Sequence, residues 1–346
     1  MTPRKIRYMH LTMQIAGAIL ISACMLPPVS AQSDATIDTE VAAHENWRTF
    51  MAQNPALVQG CYRADYPSIV WEPTECREAS PRIRPAIRKP GRGGAEVVGN
   101  GDDYVAQAAG LISATHGTFP TVTDVTSEKS VGVALFGDGG ILGSNEYSLQ
   151  INTNFTGTTA ACAGHSGCTV WQQFVYATDF IERGEAGVFI EYWLLGWGSS
   201  ACPSGWKSDG GGDCVINSSF VEAPDAKPTS LASLSLTGTA TSGGNDSVVF
   251  NNGTTAFTLT AADSRVDIAQ VWKQSEFNIV GDAGGSRADF NKGASVTVKI
   301  ALTDGSTSAP TCVADAGSTG ETNNLNLGSC STASGSSPSI QFTESD

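Results

Sequence analysis

The chain has 346 residues with 34 acidic and 20 basic side chains, a formal net charge of −14. The imbalance deepens after residue 92, where 26 acids face 9 bases, so that region repels phosphate backbones and nucleic acid is excluded as a partner. Two meanings fit such acidity: solubility outside the cell, or adaptation to acid, since few bases leave little positive self-repulsion once carboxylates protonate.

The N-terminus carries Arg4, Lys5 and Arg7, then an uncharged apolar stretch from Met13 to Leu26 and small residues Val29, Ser30 and Ala31. That layout predicts a signal peptide over 1–31, a mature start near Gln32, and a secreted (extracellular or periplasmic) protein. The stretch is too short for a transmembrane helix, and no later segment is long enough to span a bilayer. An alternative reading takes Ile21-Ser22-Ala23-Cys24 as a lipoprotein signal, with Cys24 acylated.

Val41 to Met51 is the one helix-like pattern, with Ala42, Trp47, Phe50 and Met51 available to one face. Residues 32–80 therefore read as an N-terminal segment or prosegment, closed by Cys61 and Cys76. The Pro/Arg/Gly-rich stretch 81–94 holds Arg82, Arg84, Arg88, Lys89 and Arg92 with no acid, and reads as an exposed linker. Docking of the basic segment on the acidic domain would weaken as carboxylates protonate.

From 95 to 346 the pattern is short runs of period two between Gly, Asn, Asp and Ser clusters: 131–136, 147–152, 170–177, 188–195, 231–236, 248–250, 256–260, 271–280 and 296–302. Absence of helix-length segments between them excludes a parallel α/β fold. The expectation is all-β, an antiparallel sandwich of jelly-roll or concanavalin-like type.

Eight cysteines follow the signal, in four neighbouring couples. Local pairing is the simplest framework: Cys61 with Cys76, Cys162 with Cys168, Cys202 with Cys214, and Cys312 with Cys330. With no Cys-x-x-Cys and only His44, His116 and His165 left, no zinc site is expected. The Gly/Asp-rich stretches 137–140 and 209–213 read as turns, with calcium binding as the alternative.

Alternation places Trp171 and Gln173 on one side of a strand and Gln172 on the other. It also groups Phe189, Glu191 and Trp193, and then Trp272, Gln274 and Glu276. A face mixing Trp, Gln and Glu is a poor core and a good binding surface. The order of these pieces resembles that of the eqolisin-type glutamic peptidases: Cys168 before Trp171-Gln172-Gln173-Phe174, then Phe189-Ile190-Glu191-Tyr192-Trp193, then Ser275-Glu276-Phe277-Asn278-Ile279. The likeness covers about residues 145 to 302, and the chain resembles more closely a group of secreted bacterial proteins. It implies a lectin-like β-sandwich and a secreted acid endopeptidase that uses a Gln/Glu pair without metal or cofactor. Glu276 would activate water, and an amide of Gln173 or Gln172 would bind the oxyanion. Two adjacent glutamines, without the family's following Gly and Asp, leave both as candidates; parity favours Gln173, which shares its side with Trp171 just as Glu276 shares its side with Trp272. Trp171, Phe189, Glu191, Trp193, Trp272 and Gln274 would line a cleft for a polypeptide. Two other readings of the same face are a carbohydrate-binding or adhesion module, and a glycoside hydrolase using Glu191 and Glu276 on a polysaccharide.

Overall fold

The structure is a computed structural model that describes residues 32–78, 104–132, 140–180, 182–209, 211–314 and 321–346. The signal peptide, Cys24, the basic linker 81–94 and most of the run expected at 131–136 lie outside these residues. Residues Ala42–Asp346 form one compact unit.

Two antiparallel sheets enclose the main core. The back sheet runs, edge to edge, through Glu72–Thr74, Gly60–Asp65, Thr255–Ala262, Asn245–Asn251, Ser235–Thr239, Ala114–Thr123, Ser295–Thr303, Ser339–Ser345 and Asn326–Ala333. At the centre of the front sheet lie four strands: β1 (Tyr147–Thr153), β2 (Thr169–Ala177), β3 (Glu185–Leu195) and β4 (Gln274–Gly281), in spatial order β3-β2-β1-β4. A small sheet of Thr322–Asn323, Ser286–Phe290, Glu128–Gly132 and Gly143–Ser144 adjoins β4. The sandwich expected from alternation is therefore present.

Alternation decides what enters the core. Leu149 and Ile151 of β1, Phe174 and Tyr176 of β2, Ile190 and Tyr192 of β3, and Phe277 and Ile279 of β4 turn inward. They meet Leu236, Val248, Phe250, Leu259, Val298 and Ile300 from the back sheet. Each large apolar side chain so buried contributes about 1.5–3 kcal/mol. Two glycines set the sheet approach. A Cβ on Gly117 would lie 2.2 Å from the Phe277 ring, and one on Gly238 would lie 2.4 Å from Phe174. Any larger residue there would push the aromatic rings of the front sheet away.

The four disulfides are the local ones: Cys61–Cys76, Cys162–Cys168, Cys202–Cys214 and Cys312–Cys330. The first joins the back sheet to a short strand, Cys76–Arg77, that pairs with Phe220 and Val221 beside the front sheet. The stapled N-terminal segment thus supplies a back-sheet strand, with Gly60–Asp65 fully registered on Thr255–Thr260.

Three elements differ from expectation. Helix α1 runs Gln32–Gln53, and its packed face carries Trp47 and Met51 against Ala64 and Ala256, on the outer side of the back sheet. Ala42 and Phe50 are exposed, because at 100° per residue they fall well away from the Trp47/Met51 stripe. The run 231–236 is split: Pro228–Ser233 forms a 3-10 turn, with proline in its first turn, and the strand begins at Ser235. The run 271–280 is shorter, since a turn at Ile268–Gln270 delays β4 until Gln274.

Candidate functional site

The outward residues of the four central strands are set by the same alternation that fills the core. Backbone register puts Glu191 opposite Gln173, Gln173 opposite Asn152, and Asn152 opposite Glu276. One polar row therefore crosses β3, β2, β1 and β4. Gln173 Nε2 donates to Asn152 Oδ1 (2.8 Å) and to Gln150 Oε1 (3.0 Å), which uses both of its hydrogens. Asn152 Nδ2 donates to Glu276 Oε2 at 3.0 Å. Gln150 Nε2 donates to the Ser148 hydroxyl (2.9 Å), which donates to the Gly281 carbonyl (3.0 Å).

Glu191 ends the row. Trp193 Nε1 donates to its Oε1 at 2.7 Å, while its Oε2 has no hydrogen-bond partner among the described residues. Burial pushes its carboxyl up to about 8; the Trp193 bond opposes that rise and Glu321 adds to it. Beside it Ser148, Gln150, Gln173, Phe189, Asp282 and Glu321 border a void of about 10 Å³, close to the smallest space that holds one water. Burial also raises Asp282 well above the carboxylate range, helped by Glu146, Glu321, Asp179 and Asp225, and its Oδ2 too lacks a partner among the described residues. Glu191, Gln173 and Glu276 are each 1% exposed, so the row is closed to solvent.

The structure unites some sequence candidates and separates others. Gln173, Glu191 and Glu276 share the row. Gln172 points the other way, between the sheets, where its Nε2 donates to Asp246 Oδ2 at 3.0 Å. Trp171 and Trp193, with ring centroids 6.0 Å apart, pack with Val105, Phe155 and Val215; both have no exposed surface. Phe189 stacks on Phe180 at 4.4 Å and borders the void. Trp272 does not join Glu276: it precedes β4, faces the core 5.5 Å from Phe174, and donates to the Gln274 carbonyl. Gln274 lies past the end of the row, donating to Gln107 Oε1 at 2.7 Å beside a separate cavity of about 350 Å³.

Ser148, Gln150, Asn152, Asp282 and Glu321 were not expected. The first three had a signal, since Tyr147, Leu149 and Ile151 alternate with them. Asp282 and Glu321 sit outside regular alternation and carry none.

Other acids, buried or half-buried, lie outside the row. Glu146, Asp179 and Asp225 border a cavity of about 470 Å³; Glu146 is pushed up to about 8 by burial and by Asp179, and Asp225 to about 6 for the same reasons. Burial raises Asp246 and Asp263, which also share a side-chain hydrogen bond. No group of three His, Cys, Asp or Glu suited to a metal occurs among the described residues. Asp209 instead accepts from the Gly211 and Asp213 amides, as a turn-forming residue does. No described helix is long and apolar enough to cross a membrane.

No protein-family model matches the chain, no curated protein matches it in sequence, and no solved structure matches it.

Proposed function

We propose that the protein is a secreted, acid-acting endopeptidase in which Glu276 and Gln173 hydrolyse peptide bonds. The observation that carries this reading is the ordered row itself, in which the Gln173 amide and the Glu276 carboxyl are joined through one residue, Asn152, on neighbouring strands. Four disulfides accord with export to an oxidising compartment.

The chemistry needs only these groups. Glu276 as a carboxylate takes a proton from water while the water oxygen bonds to the peptide carbon. A Gln173 N–H, exchanging its protein acceptor for the substrate oxygen, donates to the developing oxyanion. As the C–N bond breaks, Glu276 passes its proton to the departing amine and returns to the carboxylate. Since the row is buried, substrate entry requires its cover to move aside; beside Gln173 that border includes Asp282 and Ala283.

The other two readings receive less support. Sugar recognition uses exposed ring faces, and Trp171, Trp193 and Trp272 have none. A glycosidase needs carboxyls about 5–9.5 Å apart, whereas Glu191 and Glu276 stand three strand spacings apart, roughly 14 Å between backbones. Incubation with denatured casein between pH 2 and 7 tests the proposal. Cleavage by the native protein, absent in Glu276→Gln, is expected; no cleavage at any pH, or full activity of that variant, overturns it.

A further inference from the structure

The hydrogens of the row have a direction, and both ends impose it. At one end the Gly281 carbonyl can only accept, so Ser148 donates to it and accepts from Gln150 Nε2. Gln150 therefore turns Oε1 toward Gln173. At the other end an ionised Glu276 can only accept, so Asn152 turns Nδ2 toward it and is left with Oδ1 for Gln173. Gln173 consequently presents its NH2 to both. Reversal of Asn152 would set its Nδ2 against the Gln173 NH2, donor against donor.

We propose that Asn152 is a positioning residue that couples the charge state of Glu276 to the orientation of the Gln173 amide. The inference rests on the peptidase reading for its catalytic meaning and on the hydrogen bonds alone for the coupling. Asn152 is 2% exposed and held between Gln173 and Glu276 by backbone register on both sides, so neither neighbour can replace it without moving a strand. Its donor to Glu276 favours the carboxylate over the acid, the form needed to take a proton from water.

Gln150 supplies the comparison. It belongs to the same buried network and touches Gln173 and Asn152, but makes no hydrogen bond to Glu276. The other titratable groups around β4 are Tyr104, Tyr147, His116, Lys299, Arg287, Asp289, Asp282, Glu321 and Glu344, the last of which accepts from Asn278 of β4 at 2.8 Å. All are retained in the Asn152 and Gln150 variants alike and cancel when these are compared.

The experiment follows two readouts in the full chain: the pH profile of kcat/KM on casein peptides, and the carboxyl titration of Glu276 by carbon NMR. Asn152→Ala is expected to move the acid limb and the Glu276 titration upward by about one pH unit, from loss of a donor to the charged form. Asn152→Asp, which keeps the shape and places a second carboxyl against Glu276, should move both further. Gln150→Ala should lower kcat with the limb unmoved. A Glu276 titration unchanged in folded Asn152→Ala and Asn152→Asp overturns the coupling, as does an equal shift in Gln150→Ala. A titration that moves in a protein without proteolysis upholds the coupling and overturns the peptidase reading instead.

Discussion

Adjacent glutamines on β2 face opposite sides of one sheet and keep different company. Gln173, outward, sits in a chain of amides whose hydrogens are allocated from the Gly281 carbonyl to the Glu276 carboxylate. Gln172, inward, makes one donation to Asp246, while its own Oε1 and Asp246 Oδ1 lack partners among the described residues. Both sites are buried, so burial does not separate them. What separates them is completeness: an allocated chain fixes the orientation of each member, whereas the inner pair leaves the Gln172 Oε1 without a partner among the described residues, and its carboxyl is also bonded to Asp263.

The largest effect that this contrast predicts is on catalysis. Glu276→Gln keeps size and an acceptor but removes the proton-accepting group, and should reduce acid proteolysis by about 10²–10⁴-fold. Gln173→Ala should cost about 10²–10³-fold through loss of the oxyanion donor. Casein cleavage at pH 3 to 4, with circular dichroism as the check on folding, measures both. Retained activity in Glu276→Gln would erase the distinction between the faces.

The second effect is on stability against pH. Glu191 has an ordinary value of 4.5 and is pushed up to about 8 in the fold. Between those values the folded chain keeps a proton that the unfolded chain releases, so stability falls as pH rises, by about 1.4 kcal/mol per unit at most for one group. The contribution is complete below pH 4.5 and is lost toward pH 8. Glu128, pushed to about 9, and Glu146, to about 8, act with the same sign. Urea midpoints should therefore be higher at pH 4 than at pH 8. Glu191→Gln, which keeps the acceptor for Trp193, should flatten that slope. A stability that rises from pH 6.5 to 8, above the range in which His116, lowered to about 4 by burial, adds stability of its own, would show that these acids are ionised in the fold.

Much of the site was legible because strand alternation is strict over β2 and β3, which brought Gln173 and Glu191 to one face. The same rule, carried back from Glu276 to Trp272, failed because Trp272 is still tied to the preceding turn, its backbone N–H donating to the Ile268 carbonyl, and β4 starts only at Gln274. Gln173 was thus preferred partly by likening its pairing with Trp171 to a pairing of Glu276 with Trp272 that does not exist. Gln150 and Asn152 were readable from the period-two pattern of β1, but a polar face on one strand has meaning only once its neighbours are known. Asp282 and Glu321 reach the void by the path of the chain between elements, for which no local pattern exists. The disulfides were legible because each closes a short loop.

The smallest effect separates the two glutamines directly. Gln172→Ala removes the donor to Asp246, a carboxyl with no exposed surface, and leaves its Oδ2 without that bond. Loss of such a buried partner costs about 1–3 kcal/mol. Removal of the Gln172 Oε1, itself without a partner among the described residues, offsets part of this, so a loss toward the lower end is expected. Because Asp246 and Asp263 share a hydrogen bond, Asp246→Asn gives the second test: an amide there needs no proton, and stability at pH 8 should rise relative to that at pH 4. Neither substitution touches the row, so kcat/KM at acid pH should stay near the native value in both. Chemical denaturation and casein cleavage on the same samples decide the matter. If Gln172→Ala abolished proteolysis while the protein remained folded, the inward glutamine would belong to the catalytic machinery and the division between the two faces of β2 would fall.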